Sequence, residues 1–294
     1  MIYLEQFAVP SLTAEENYLK FATGTLREYY PFGVFEEPPP PLDFKEVTIF
    51  YGGNGCGKTT LLNVITQKLR LARSGLFNRT PHFGAYLDQC YYRLAGEDAG
   101  HVLNIPTESS FISSDDVFAQ IMRRREVNAD LETRHDLASA QCRRARRNMK
   151  LNTYEQDGVE PFLEHMEARR NSIRTFVNRR VEAFEPEFSN GESAFRHFTQ
   201  AIGERGLYLL DEPENSLAPS LQNKLVEFLE ASVTCGDQFI IATHSPLLLG
   251  LKGAKVYDLD AVPACVRPWQ QLENVRLLQE FFERHRWEFQ SPED

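Results

Sequence analysis

Residues 52–59 read Gly-Gly-Asn-Gly-Cys-Gly-Lys-Thr, between a strand-like run, Val47-Thr48-Ile49-Phe50-Tyr51, and a helix-like run, Leu61-Leu62-Asn63-Val64-Ile65. The spacing is G-x-x-x-x-G-K-[ST], and a strand before it and a helix after it are the setting in which such a loop cradles phosphate. Its four glycines let the backbone curl until successive N–H groups face one anion. The following helix adds the positive end of its dipole. In this reading Gly52, Gly53, Asn54, Gly55, Cys56, Gly57, Lys58, Thr59 and Thr60 form the nucleotide site. Lys58 reaches the β- and γ-phosphates, and the Thr59 hydroxyl holds Mg²⁺. The bland alternative is an ordinary glycine-rich turn, and the rest of the chain weighs against it.

Leu207-Tyr208-Leu209-Leu210-Asp211-Glu212 is an apolar run ending in two carboxylates. Beside a phosphate loop, that pair divides two tasks: Asp211 binds the metal, directly or through water, and Glu212 polarises the attacking water. Phe239-Ile240-Ile241-Ala242-Thr243-His244 is a further apolar run that delivers a histidine at its carboxyl end. In open α/β sheets that edge is where ligands bind.

The order of these pieces resembles the ABC-type ATPases over most of the chain. Phe188-Ser189-Asn190-Gly191-Glu192 is similar to the family's signature loop, with Phe188, Asn190 and Glu192 departing from its common form. Ser189 and Gly191 then offer a hydroxyl and a glycine at a helix N-terminus to a phosphate held by another subunit. A simple helix cap is the alternative for this segment. Pro213-Glu214-Asn215-Ser216-Leu217-Ala218-Pro219 looks like the soluble branch of the family, with its chromosome-maintenance and recombination-repair ATPases and overcoming-lysogenisation-defect nucleases, rather than transporter subunits. His244 matches the family's switch histidine, which touches the γ-phosphate.

The resemblance implies an α/β fold, a P-loop NTPase of ABC-ATPase-head type, with a mostly parallel sheet, an N-terminal antiparallel part and an inserted helical lobe. It predicts one composite domain over 1–294, with a nucleotide lobe from 1–114 and 205–294 and a helical lobe at 115–204. It also implies ATP and Mg²⁺ as cofactors, a homodimer formed on ATP binding, and a separate protein effector. The family's glutamine loop is either Gln89 or the loop at Ser114-Asp115. Tyr29, Tyr30 and Phe32 are candidates for stacking on adenine, with core packing the expected fate of at least two.

Composition fits a compact soluble enzyme. The chain has 294 residues, is 42% hydrophobic and carries a net charge of −10, which argues against wholesale coating of nucleic acid. The basic stretch Arg134 to Lys150 is an exception. There Arg143, Arg147 and Lys150 share a helix face by their spacing and are candidates for a DNA or RNA backbone contact. A solvated helix surface is the alternative. No apolar run spans a bilayer, and the N-terminus lacks the features of a signal peptide, so no membrane insertion and a cytoplasmic location are expected. Five scattered cysteines suggest neither a zinc site nor a disulfide framework.

Two C-terminal pieces are expected to be structural. Asp258-Leu259-Asp260 has the form of a metal-binding carboxylate pair but is read as a surface strand end, since too little chain follows for a nuclease module. Leu272, Val275, Leu278, Phe281 and Phe282 have helical spacing and are expected to pack on the sheet. The leading function is ATP hydrolysis driving dimer closure as a switch or motor, in DNA maintenance or defence against foreign DNA. The alternatives are an ATP-gated sensor with little turnover and a detached ATP-binding subunit of a transporter.

Overall fold

The computed structural model describes residues 1–20, 25–96, 104–147, 159–184 and 189–289. The strands in chain order are β1 Leu4–Ala8, β2 Leu42–Asp43, β3 Val47–Tyr51, β4 Ala72–Arg73, β5 Tyr91–Leu94, β6 Ser110–Ser113, β7 Leu207–Asp211, β8 Gln238–Ala242, β9 Lys255–Asp258 and β10 Cys265–Val266. Among the described residues they form a seven-stranded sheet of order β10-β9-β3-β8-β7-β6-β4 and a three-stranded sheet of order β2-β1-β5. The larger sheet is parallel apart from its β9–β10 hairpin, and the smaller one is antiparallel. The fold is therefore α/β, mostly parallel, with an antiparallel N-terminal part.

Every residue of β3, β7 and β8 is buried, as their unbroken apolar sequences demand. Strands covered on both faces read as continuous hydrophobic runs rather than as alternating ones. One cover is the helix α2, Lys58–Leu69, whose Leu61, Leu62, Val64 and Ile65 are all within 1% of full burial. Arg70 ends it with a positive φ of 56°, its N–H donating back to Thr66 and Gln67 carbonyls.

Side-chain hydrogen bonds fasten the two sheets, the largest set from Gln238. Gln238, with no exposed surface, accepts from the Tyr3 and Leu4 N–H groups at 2.8 and 2.9 Å. Its amide donates to the carbonyls of Leu4 at 2.8 Å and Lys45 at 3.0 Å. The Tyr257 hydroxyl makes a second link, donating to the Asp43 carbonyl and accepting from its N–H.

By compactness the chain divides into Met1–Val117 with Asn190–Asp294, and Phe118–Ser189. The second unit is shorter than the expected lobe 115–204, the helix Asn190–Ala201 falling in the first unit, where it contacts the helix Pro219–Thr234. A β-carbon on Gly191 would lie 2.9 Å from the Ser216 carbonyl and 3.2 Å from Leu221, so only glycine lets this helix start approach the 216–221 segment so closely. The second unit has its own small core of Cys142, Ala168 and Phe176. Arg180 lies over the Phe176 ring at 3.7 Å and bonds Glu167 at 2.7 Å.

The C-terminal helix Glu273–Arg284 departs from expectation, because none of its residues is buried. Leu272, just before it, is fully buried, while Leu278, Phe281 and Phe282 are 42 to 53% exposed. Helical spacing identified the apolar face but not what it faces.

Replacing Gln238 by Met keeps the volume but removes the bonds to four backbone groups. At a cost of ~1–3 kcal/mol for each buried group left unpaired, partly offset by relaxation, the variant should lose about 2–4 kcal/mol. Urea unfolding measures this, and an unchanged midpoint would show that the clasp does not hold the sheets together.

Candidate functional site

The loop 52–59 runs from the end of β3 into α2, and its geometry depends on Gly57. This residue caps the helix with a positive φ of 97°. A β-carbon there would lie 2.5 Å from the Phe35 ring, so the conformation and the space both require glycine. Lys58 is 5% exposed and curls back over the loop, its Nζ donating to the Gly52 carbonyl at 2.7 Å and the Gly53 carbonyl at 3.0 Å. The ammonium is thus held among the loop's backbone, in position to meet an anion. Cys56 lies beside it, its Sγ 3.9 Å from Nζ, with burial pushing the thiol pKa up.

The neighbouring strand ends bring up the acids. Thr59 Oγ1 donates to Asp211 Oδ1 at 3.1 Å, joining the start of α2 to the end of β7. Asp211 is 6% exposed, and burial is the main force raising its pKa from 3.8 to about 7; the Thr59 hydrogen bond pulls it down and Glu212 pushes it up.

Glu212 adopts a positive φ of 48°, which costs a residue with a β-carbon about 1 kcal/mol. Its N–H donates to the Ala242 carbonyl at 2.9 Å. Its carboxylate accepts from Asn215 Nδ2 at 2.8 Å and lies 3.6 Å from His244 Nε2. That nitrogen is buried and has no hydrogen-bond partner among the described residues. Burying a polar atom unpaired is unfavourable, and one left so at the mouth of a phosphate loop is suited to an incoming acceptor or donor.

Several residues that complete the site were not foreseen. Glu214 Oε1 accepts from the Thr243 hydroxyl at 2.6 Å, the His244 N–H at 2.6 Å and the Ser245 N–H at 3.1 Å, so it holds the turn that carries His244. Asn274 Nδ2 donates to the His244 carbonyl at 2.9 Å from the other side. Asp260 accepts the Gly53 N–H at 2.8 and 2.7 Å through its two oxygens. Glu214 had a visible signal as a third acid after Asp211-Glu212. Asp260 was visible only as half of Asp258-Leu259-Asp260, and its bond to the loop lies across 207 residues of sequence.

The remaining candidates are dispersed. The reading of Asp258-Leu259-Asp260 as a surface strand end fails for Asp258, which is 4% exposed and paired with Arg267 at 3.0 Å, while Asp260 is exposed and bonds the loop. Among the described residues no cluster of three or more metal-binding side chains occurs. Gln89 bonds within its own helix, to Ala85 O, whereas Ser114 follows β6 and its hydroxyl lies 3.4 Å from Asn215 Nδ2. Phe32 is core, stacked on Tyr18 at 4.2 Å, and Tyr29 stacks on His82 at 4.4 Å. Tyr30 donates to Thr60 Oγ1 at 3.2 Å and lines a pocket of about 450 Å³ with Arg27, Gly33, Val34 and Arg79. Ser189 closes the second unit, where Arg143 and Arg147 are exposed; Phe188 and Lys150 lie outside the described residues.

Residues 104–250, which include Asp211, Glu212 and His244, match the family described as "AAA domain, putative AbiEii toxin, Type IV TA system". The chain belongs to this AAA domain family. It carries an ATPase-type P-loop domain, with the loop itself at 52–59, N-terminal to the matched segment. No curated protein matches the sequence. Among solved structures it is similar to the Smc head domain of Pyrococcus furiosus bound to the C-terminal domain of ScpA, at 13% identity, 97% and 100% coverage of the two chains and a TM-score of 0.43. It is also similar to a nucleotide-free ATP-binding cassette from an ABC transporter, at 14% identity, 95% and 96% coverage and a TM-score of 0.41. No described helix of this AAA domain is long and apolar enough to cross a membrane.

The raised Asp211 pKa has a sign that can be measured. Between 3.8 and about 7 the folded protein holds a proton that the unfolded chain releases, so stability falls as pH rises through that window. Asp211→Asn keeps an acceptor for Thr59 and removes the buried charge. It should raise the thermal midpoint of the nucleotide-free protein, by more at about pH 8 than at about pH 5. An equal or larger gain at the acid pH would contradict the assigned shift.

Proposed function

We propose that this AAA domain is a Mg²⁺-dependent ATP hydrolase in which ATP-driven closure of a homodimer switches a separate protein effector, in DNA maintenance or defence against foreign DNA. The carrying observation is the convergence of Lys58, Thr59, Asp211, Glu212 and the unpartnered His244 Nε2 at the carboxyl ends of three adjacent strands. The toxin–antitoxin association in the family's description agrees with a switch acting on another component.

The residues fit the cofactors by their chemistry. Thr59 Oγ1 and the Asp211 carboxylate supply hard oxygen ligands, and loop N–H groups with Lys58 supply positive charge for phosphate. Mg²⁺, when bound, neutralises charge on the β- and γ-phosphate oxygens. Lys58 exchanges its loop carbonyls for phosphate oxygens. Glu212, oriented by Asn215, accepts a hydrogen bond from the attacking water and takes its proton. His244 Nε2 gains the partner it lacks by meeting the terminal phosphate, with its backbone turn held by Glu214 and Asn274. Glu212 is the residue that distinguishes this reading from a sensor with little turnover, which has no need of a base. Ser189 completes the site on a second subunit, so a lone subunit turns over poorly.

Glu212→Gln should bind Mg-ATP yet lose turnover by about 10²-fold or more, the scale of a general base, and accumulate as an ATP-bound dimer in gel filtration. Lys58→Ala should lose nucleotide binding and form no such dimer. A Glu212→Gln protein that hydrolyses ATP at the parental rate ends the assignment.

Sharing of the site between subunits has its own test. Ser189→Arg and Lys58→Ala proteins should each be inactive, and their mixture partly active, because one composite site of the mixed dimer keeps both a sound loop and a sound Ser189. Absence of activity in mixed dimers shown to form would refute independently firing composite sites.

A further inference from the structure

Within the second unit, Phe118–Ser189, one side chain ties two helix ends together. Arg146, in the last turn of the helix Ser114–Arg147, donates through Nε to the Ala168 carbonyl at 2.7 Å and through Nη2 to the Asn171 carbonyl at 2.7 Å. The carboxyl end of the helix Val159–Arg170 is thereby fixed to that of the first helix, over the core of Cys142, Ala168 and Phe176. Six further guanidinium groups, on Arg143, Arg144, Arg147, Arg169, Arg170 and Arg174, are gathered at this point, each within three residues of Arg146, Ala168 or Asn171. All six are exposed, and none forms an ion pair among the described residues. From 143 to 147 and from 165 to 174 the only acid is Glu167, which is already bonded to Arg179 and Arg180 at 3.4 and 2.7 Å. A helix carboxyl end favours a nearby cation, and Arg146 meets that need. The other six repel one another until an anion lies against them.

We propose that this end of the second unit binds the phosphate backbone of a nucleic-acid duplex. The planar guanidinium fork donates two parallel bonds to a pair of phosphate oxygens, and the patch carries guanidinium alone. What it lacks decides the form of the polyanion. No large apolar side chain is exposed from 138 to 147 or from 164 to 183. A single strand is held by bases stacked on exposed aromatic rings, and a membrane surface takes up an apolar helix face. A duplex needs neither, since it presents a row of phosphates with its bases already stacked. The net charge of −10 over the whole chain opposes such binding elsewhere and confines it to this patch. The contact uses none of Lys58, Asp211 or Glu212, so it goes beyond the switch proposed above and does not depend on it.

The experiment is fluorescence anisotropy of a labelled DNA duplex of arbitrary sequence, titrated with the nucleotide-free full chain over a salt series. Six phosphate contacts would make log K fall against log salt with a slope of about −5. R143A/R147A and R169A/R170A should each flatten that slope by about two units and weaken binding about tenfold at low salt, with unchanged circular dichroism. R284A/R286A removes the same charge from the first unit and should change neither quantity. The Lys58→Ala protein should bind like the parent, so a failure of the ATP-dependent switch leaves this result intact. An RNA duplex of the same sequence, titrated in parallel, shows which backbone the patch takes, and binding of either supports the proposal. It is overturned if neither duplex binds at low salt, or if the matching single strand or phosphatidylserine vesicles bind more tightly than both. A loss in R284A/R286A as large as in the patch variants would overturn it equally.

Discussion

The register of β3, β8 and β7 is the constraint on which the site depends. Phe50 pairs with Ala242 and Ala242 with Asp211, so three parallel strands end at one level. Tyr51, Thr243 and Glu212 then follow at a common edge, and the phosphate loop begins one residue later at Gly52. A slip by one residue would turn every side chain of a strand to the other face, and full burial of all three strands makes that prohibitive. Thr59 and Asp211 meet at 3.1 Å because the sheet has already set their backbones. The chemistry is placed by hydrophobic burial, and hydrogen bonds only finish the placement.

What could be read in the sequence was whatever is local. The phosphate loop, the apolar runs of β3, β7 and β8, and the acids and histidine at their ends each declare themselves within ten residues, because strand burial and loop curvature are short-range demands. What could not be read is held by long-range contacts. The partnership of Asp260 with Gly53 and the Gln238 clasp on Tyr3 and Leu4 join positions more than two hundred residues apart. The Glu273–Arg284 helix shows the same limit in another form. Periodicity correctly marked an apolar face, but the expectation that it packs on the sheet assumed that a chain always covers its own apolar surface.

Glycine separates the two kinds of information clearly. Gly57 is legible from the motif, yet its steric reason, the Phe35 ring 2.5 Å from where a β-carbon would stand, comes from a residue with no motif of its own. Gly191 was read as part of an anion site. Its contact with the Ser216 carbonyl gives it a packing reason that stands whatever binds there.

The turn carrying His244 is the point at which the site is joined to the rest of the molecule. Glu214 grips it through three donors from one side, and Glu214 comes from the same segment as Glu212 and Asn215. Asn274 grips it from the other side, at the base of the exposed C-terminal helix. The imidazole nitrogen that these contacts leave without a partner is the atom facing Glu212. A group that meets this nitrogen therefore acts on a turn already shared between the acidic strand end and the helix, and any displacement is carried to both by short hydrogen bonds rather than by soft apolar contact. Such a turn cannot move alone, which is the physical requirement for coupling chemistry at one strand edge to a surface elsewhere.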